Sequence, residues 1–145
     1  MPGSGDLARQ LGADPELNRR GMGASFLAQN AGKRSITLNL KSPKGRDAFV
    51  RLAGSSDVVV ENFRPGTAKK LGVDYTTLRA TNPGLVYCAI SGFGATGPYR
   101  DHPSYDMVAQ AASGYLSTLM DFSDPWAPNP SAGDQLTAVY SAYGI

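Results

Sequence analysis

Asp57-Val-Val-Val-Glu-Asn-Phe63 is the segment that most limits what this chain can fold into. Its apolar residues run almost continuously rather than alternating with polar ones. That pattern asks for burial on both faces, as in a parallel sheet. Leu85-Val-Tyr-Cys-Ala-Ile90 has the same character. Parallel strands need a crossover of about a dozen residues or more, and the intervening stretch supplies one. Pro65-Gly66 turns the chain into a short helix through Lys69, Lys70 and Leu71. A second short helix is predicted over Tyr75–Ala80, stopped by Asn82-Pro83. Upstream, Ser35-Ile-Thr-Leu-Asn-Leu40 alternates β-branched and apolar residues and is predicted to be another strand. Ser42-Pro43 follows as N-cap and first helical residue. The helix they open carries Phe49, Leu52 and Ala53 on one face, and Gly54 ends it. Strand–helix–strand–helix–strand in this order predicts an α/β fold built on an open parallel sheet.

The flanking regions are less regular. Residues 1–34 predict one short helix near Asp6–Leu11 and otherwise loop. A Gly/Pro loop is expected from Ser91 to Pro103, then a helix over Ser104–Leu119 with Met107, Val108, Ala111, Leu116 and Leu119 as its apolar residues. Residues 121–132 read as a Pro-rich loop, and Asp134 to Tyr143 as a final helix. That apolar helix runs to Gly144-Ile145 with no visible surface to cover it. Three strands are also few for a sheet that must be covered on both faces. Both observations lead to the expectation that this is part of a larger protein.

The 145 residues leave room for one domain, and 41% hydrophobic with 18% charged residues excludes extended disorder, collagen and a disulfide scaffold. No run approaches the length of a membrane-spanning helix. Met1 to Asp6 is Pro/Gly/Ser rather than basic-then-apolar, so no signal peptide is expected. A single Cys fits a reducing compartment, and cytoplasm is the expected location. Charge is uneven: residues 1–70 carry twelve Lys/Arg against six Asp/Glu, and residues 71–145 carry two against six. A basic half fits either a solvated surface or an anionic partner, phosphates among them.

Few motifs survive comparison with their ordinary explanations. Gly92-Phe-Gly94-Ala-Thr-Gly97 is a literal G-x-G-x-x-G after a strand. A dinucleotide loop should open a helix at once, and Pro98 and Pro103 forbid that here. The glycines are better explained by a loop passing close to a ligand or another backbone. Cys88, mid-strand, is expected to be a core thiol, and His102 an exposed loop residue with no metal partners at ligand spacing. No helix-turn-helix or RNP pattern accompanies the basic half, so nucleic acid is not an expected partner. Lys41, Arg64, Lys69 and Lys70 fall at predicted strand ends or in the turns after them, where open parallel sheets bind ligands. Asp134 follows Gly133 at a helix start. An N-cap is the ordinary explanation. Alternatively, a carboxylate held ionised by a helix dipole can act as a nucleophile toward an activated acyl group.

Four blocks together resemble the family III CoA-transferases (CaiB/BaiF type), which include formyl-CoA transferase, carnitine CoA-transferases and α-methylacyl-CoA racemase. Asn30 through Arg46 is similar to N-x-G-K-R-S-I-x-L-D/N-L-K-x-x-x-G-R. Val60-Glu-Asn-Phe-Arg-Pro-Gly66 with Leu71-Gly72 resembles V-E-N-F-R-P-G…L-G. Asn82-Pro83 through Tyr99 resembles N-P-x-L-[IV]-Y-x-x-[IL]-S-G-F-G-x-x-G-P-Y. Tyr105 through Gln110, with Ser113-Gly114, resembles Y-D-x-x-A-Q-A-x-S-G. The resemblance covers roughly residues 25–145.

The resemblance implies a Rossmann-like fold, residues 1–145 being a partial large domain whose first strand, Gly-rich flap and small domain lie outside the chain. It implies that Leu38, Asn39, Leu40 and Lys41, with Asn62, Phe63 and Arg64, line a CoA site. Lys70 falls at a contact to CoA phosphate, and Tyr105 and Asp106 at further CoA-side contacts. Asp134 falls at the catalytic aspartate, which passes through acyl-anhydride and aspartyl-CoA thioester intermediates. CoA and acyl-CoA are implied as substrates rather than tightly bound cofactors, with a carboxylate acceptor, no metal and a homodimeric whole protein. The racemase branch has His where this chain has Tyr105, which favours transfer over the alternative of α-methylacyl-CoA epimerisation. A further alternative is an inactive fragment that at most binds CoA or a partner.

Overall fold

In a computed structural model, residues 5–126 and 131–145 are described. The expected Pro-rich loop over 121–132 therefore falls partly outside the described residues. The chain divides into two compact units, one ending at Leu38 and the other beginning at Asn39.

The first unit is more helical than its sequence predicts. A 3₁₀ turn, Leu7–Gln10, is followed by helices α1 (Pro15–Arg19) and α2 (Ala24–Asn30). The turn at Leu7–Gln10 lies where a short helix is expected, and a cap explains α1, which apolar periodicity missed. The Asp6 carboxylate accepts from Ala8 N–H at 2.8 Å, and Asp14 accepts from Glu16 and Leu17 N–H at 2.8 and 3.1 Å. Pro15 then occupies the first helical turn. Gly23 lies where a Cβ would come within 2.4 Å of the Leu11 carbonyl, so the start of α2 can pack there only as glycine.

No strand forms over Ser35–Leu40, which corrects the sequence expectation. Alternating β-branched residues favour extended backbone, but a strand also needs a neighbour for its N–H and C=O groups. Among the described residues none pairs there, and Ile36 is 69% exposed.

The second unit opens with α3 (Pro43–Gly54). Ser42 Oγ accepts from Gly45 N–H at 3.1 Å, as the cap predicted. A parallel pair follows, β1 (Val58–Glu61) and β2 (Val86–Ala89), in the register Val58↔Val86 to Glu61↔Ala89. The sheet so described has two strands rather than three. The crossover carries α4 (Thr67–Leu71), bounded by left-handed Gly66 and Gly72, and α5 (Tyr75–Arg79). Ala53, Leu78 and Leu85 form the core, with Phe49, Val50, Val59 and Tyr87 packed against it. Leu78 is 1% exposed, whereas Leu52, expected on the same face as Phe49 and Ala53, is exposed. Asn82 Nδ2 donates to the Ala53 and Ser56 carbonyls at 3.3 and 2.8 Å, tying the end of α3 to the entry of β2. Cys88 is half-buried on β2.

The helix expected over Ser104–Leu119 is broken into α6 (Asp106–Ala112) and a 3₁₀ turn, Tyr115–Thr118. Gly114 stands between them at φ 77°, a left-handed conformation that ends the first helix. The last helix, α7, spans Ala132–Gly144 and packs on α6. The fold of this unit is α/β, with a small parallel sheet.

Candidate functional site

The chain leaves the two parallel strands on the same side, and the chemistry collects there, as expected for the carboxyl ends of a parallel sheet. After β1, the Glu61 side chain accepts from Phe63 N–H at 2.6 Å, which folds Asn62-Phe63-Arg64 into a turn. After β2, Ser91 and Gly92 bring the chain against Ser104. A Cβ on Gly92 would lie 2.2 Å from the Ser104 Cβ, so only glycine fits. Gly94 and Gly97 both have positive φ, 82° and 88°. The G-x-G-x-x-G string is thus explained by backbone shape and close packing within the chain.

A cavity of about 320 Å³ lies between these turns and the starts of α6 and α7. Asn62, Phe63, Arg64, Tyr105, Asp106 and Asp134 all line it, so six of the sequence-selected residues meet at one place. Tyr105 is the N-cap residue of α6, and Asp106 its first helical residue.

Asp134 is not the N-cap of α7, which corrects the ordinary explanation offered from sequence. Ser131 is the N-cap, in a left-handed conformation at φ 49°, and its side chain makes no capping bond. Instead Asp106 Oδ1 accepts from Asp134 N–H at 2.9 Å, supplying from α6 the acceptor that Ser131 does not. A Cβ on Gly133 would lie 3.0 Å from the same oxygen, so glycine there keeps the approach open. Asp106 Oδ2 accepts from Gln110 Nε2, one helical turn along α6. No hydrogen bond falls on the Asp134 carboxylate among the described residues. Burial, and secondarily the charge of Asp106, push the Asp134 carboxyl above its ordinary value. Its place in the first turn of a thirteen-residue helix opposes this by favouring the anion. Such a carboxylate, exposed to a cavity and otherwise uncommitted, is available to attack a bound electrophile.

The other selected residues lie elsewhere. Leu38 lines a cavity of about 820 Å³ in the first unit, together with Arg9, Lys33 and Arg34. Asn39, Leu40 and Lys41 form the turn into α3. Asn39 Oδ1 accepts from Lys41 N–H at 3.1 Å, and the Asn39 carbonyl sits where a Cβ on Gly45 would come within 2.1 Å. Lys70 is exposed on α4, and its neighbour Lys69 lines a cavity adjoining that of Asp134.

Two residues that the sequence reading did not place at the site line the Asp134 cavity, and a third, Gln110, joins its carboxylates from behind. Arg100 and His102 border the Asp134 cavity from the Gly-rich loop. His102 is exposed, as expected, but it packs with Phe93 and Tyr99 at ring-centroid distances of 6.5 and 5.2 Å. Gln110, part of the A-Q motif, is the third member of the carboxylate cluster; an i, i+4 spacing from Asp106 was the signal available. Among the described residues no His/Cys/Asp/Glu group could hold a metal ion, and no helix is long and apolar enough to cross a membrane.

The family model described as CoA-transferase family III matches residues 1–145. The chain is 43% identical over 123 residues to a succinate–glutarate CoA-transferase of Agrobacterium fabrum, covering 84% of this chain and 31% of that protein. It is 40% identical over 145 residues to a formyl-CoA:oxalate CoA-transferase of Streptomyces avermitilis, covering 98% and 34%. Among solved structures, a CAIB/BAIF family protein from Brucella suis is similar at a TM-score of 0.79 and 41% identity, covering 84% of this chain and 32% of that one. A point mutant of Rv3272 from Mycobacterium tuberculosis is similar at a TM-score of 0.81 and 30% identity, covering 98% and 38%. The chain spans about a third of the length of the curated relatives it matches.

Proposed function

The chain belongs to CoA-transferase family III, and from that premise we propose that the whole protein moves CoA from an acyl-CoA to a carboxylate acceptor, with Asp134 as the nucleophile. The observation that carries this reading is the uncommitted Asp134 carboxylate on a cavity shared with Arg64 and the Tyr105-Asp106 pair.

The steps balance without any external reagent. An oxygen of Asp134 attacks the thioester carbonyl. The C–S bond breaks, and CoA leaves as thiolate with the electron pair, giving a mixed anhydride. The thiolate attacks the aspartyl carbonyl and expels the donor as carboxylate, leaving an aspartyl-CoA thioester. The acceptor carboxylate attacks that thioester, giving a second anhydride and thiolate. Attack of the thiolate on the acceptor acyl carbonyl forms the new acyl-CoA and regenerates the Asp134 carboxylate. A carboxylate suits this shuttle because its anhydride keeps the acyl group activated.

Arg64, at the end of β1, supplies positive charge beside the site for the phosphates or the acceptor carboxylate. Lys41, Lys70 and the backbone of Leu38–Leu40 are assigned to CoA through the resemblance of their motifs. CoA comes and goes as substrate, no tightly bound cofactor or metal is required, and the whole protein is proposed to be a cytoplasmic homodimer.

The decisive experiment is Asp134→Asn in the whole protein. Turnover falls by several orders of magnitude, and a radiolabelled acyl or CoA adduct that forms on the unsubstituted enzyme no longer forms. Unchanged turnover overturns the reading.

A further inference from the structure

We propose that Gln110 is a positioning residue whose buried amide fixes the Asp106 carboxylate, and through it the first turn of α7 that carries Asp134. The proposal rests on the reading of Asp134 as nucleophile for its catalytic meaning, but its geometry stands apart from that reading.

Gln110 is 2% exposed, and among the described residues it is the one polar residue that is buried. An apolar residue of the same size would fill the space without burying an amide. Burial leaves Gln110 Oε1 without a partner, which opposes folding. The compensating contact is on the other end of the amide, where Nε2 donates to Asp106 Oδ2. The carboxylate accepts only, so the amide must present its NH₂ group there. Asp106 Oδ1 faces the opposite way and accepts from Asp134 N–H at 2.9 Å. Each oxygen of Asp106 therefore has its own donor, one from α6 and one from α7. Without Gln110, the Asp106 carboxylate is free to rotate about its side-chain bonds. The cap on α7 is then lost, because Ser131 provides no side-chain substitute. The groups that face this cluster are the Asp134 carboxylate on α7, the Tyr105 phenol at the start of α6, Arg64 after β1, and Arg100 and His102 from the Gly-rich loop.

The test is hydrogen exchange and carboxyl-carbon NMR on this chain, unsubstituted and as Gln110→Met and Gln110→Leu. Both variants remove the donor and keep an apolar fill of similar size. In either folded variant, exchange of the Asp134 amide rises at least about fivefold, the scale of a lost helix cap. The β1–β2 amides of Val86 and Ile90 keep their protection. The Asp134 carboxyl titrates closer to its ordinary value, since Asp106 no longer holds its charge alongside. Unchanged Asp134 exchange and titration overturn the proposal. In the unsubstituted chain, the Gln110 Nε2 protons must show a hydrogen-bond scalar coupling to the Asp106 carboxyl carbon. Absence of that coupling overturns the proposal even where both variants fail to fold. Retained turnover in Asp134→Asn removes the nucleophile reading and leaves these exchange results to decide the positioning role by themselves.

Discussion

The backbone N–H of Asp134 donates to Asp106 Oδ1 across 2.9 Å, joining residues 28 positions apart in the chain. One carboxylate thereby anchors the helix that presents the other. Two effects of Asp106 can be separated by substitution. Asp106→Ala removes the acceptor and costs about 1 kcal/mol, the usual scale of a lost cap. Asp106→Asn keeps an acceptor and removes the charge, so the Asp134 carboxyl moves down toward its ordinary value. Chemical denaturation measures the first, and a carbon-detected titration of Asp134 measures the second.

Asp134 itself carries a stability signature with a definite sign. Its folded carboxyl holds the proton more tightly than the unfolded one, through burial first and Asp106 second. Its contribution is therefore complete below the ordinary value of 3.8 and is lost as pH rises through the raised folded value. Neutralising the group should make the chain more stable at pH 7. Asp134→Asn is expected to gain a fraction of a kcal/mol, less than about 1, because the side chain is largely exposed to solvent. The gain should vanish below the ordinary carboxylate range. A stabilised but inactive variant is the expected pairing for a strained functional group.

Gly92 tests how tightly the loop after β2 is seated. A Cβ there would meet the Ser104 Cβ at 2.2 Å, and neither group is the far end of a flexible chain. Gly92→Ala is expected to cost about 1–3 kcal/mol by overpacking. Adding Ser104→Gly to it should recover most of the loss. A double variant as unstable as the single one would mean that the glycine serves the loop in some other way.

Several features of this architecture were legible in the sequence, and the reasons differ by element. The β1 and β2 runs were readable because their apolar residues are continuous, but the expected burial on both faces is not met: Val60 and Val86 are exposed. The start of α3 was readable because Ser42-Pro43 is itself the capping chemistry. Ser35–Leu40 misled because alternation reports a preference for extended backbone and says nothing about a pairing neighbour. The turn near Asp6–Leu11 was readable, but α1 and α2 were missed because each is too short to show an apolar period, α1 being set by its Asp14 cap and α2 having no side-chain cap at all. The clustering of Asn62–Arg64 with Tyr105, Asp106 and Asp134 could be expected from strand ends and family motifs together. The Gln110–Asp106–Asp134 connection could not, because the cap on α7 comes from another helix and leaves no local pattern around Ser131.

Arg64 and Lys70, two of the three basic residues singled out for CoA, differ in position, and binding should reveal it. Arg64 borders the Asp134 cavity, whereas Lys70 is exposed on α4. A ligand bound only by the folded state raises the melting midpoint by mass action. CoA at millimolar concentration should raise the midpoint of this chain, and NAD should not. Arg64→Gln is expected to remove most of the CoA shift, and Lys70→Gln to reduce it by a smaller amount. Raising the salt should shrink the Lys70 contribution first, since exposed charges are the more strongly screened. Equal losses from the two variants would place the phosphates nearer α4 than the cavity.

Tyr87 gives the fold an alkaline limit. Its hydroxyl donates to the Val73 carbonyl at 3.3 Å, and its ring packs against the core. Burial, then the charges of Glu61 and Asp74, push its phenol from 10.0 up to about 12. The unfolded chain therefore ionises this phenol before the folded one does. Its contribution to stability is complete below pH 10 and is lost as pH rises from 10 through about 12. Tyr87→Phe removes the hydroxyl and its proton together. At about pH 8 the variant should be less stable by about 0.5–1.5 kcal/mol, the net worth of one hydrogen bond. Between pH 10 and about 12 the two proteins should converge, because the unsubstituted chain alone must keep a half-buried phenol protonated. Denaturant unfolding of both proteins across this range measures the convergence, and tyrosinate absorbance follows the delayed ionisation directly. A stability gap that stays constant with pH would show that the Tyr87 phenol ionises in the folded chain as it does in the unfolded one.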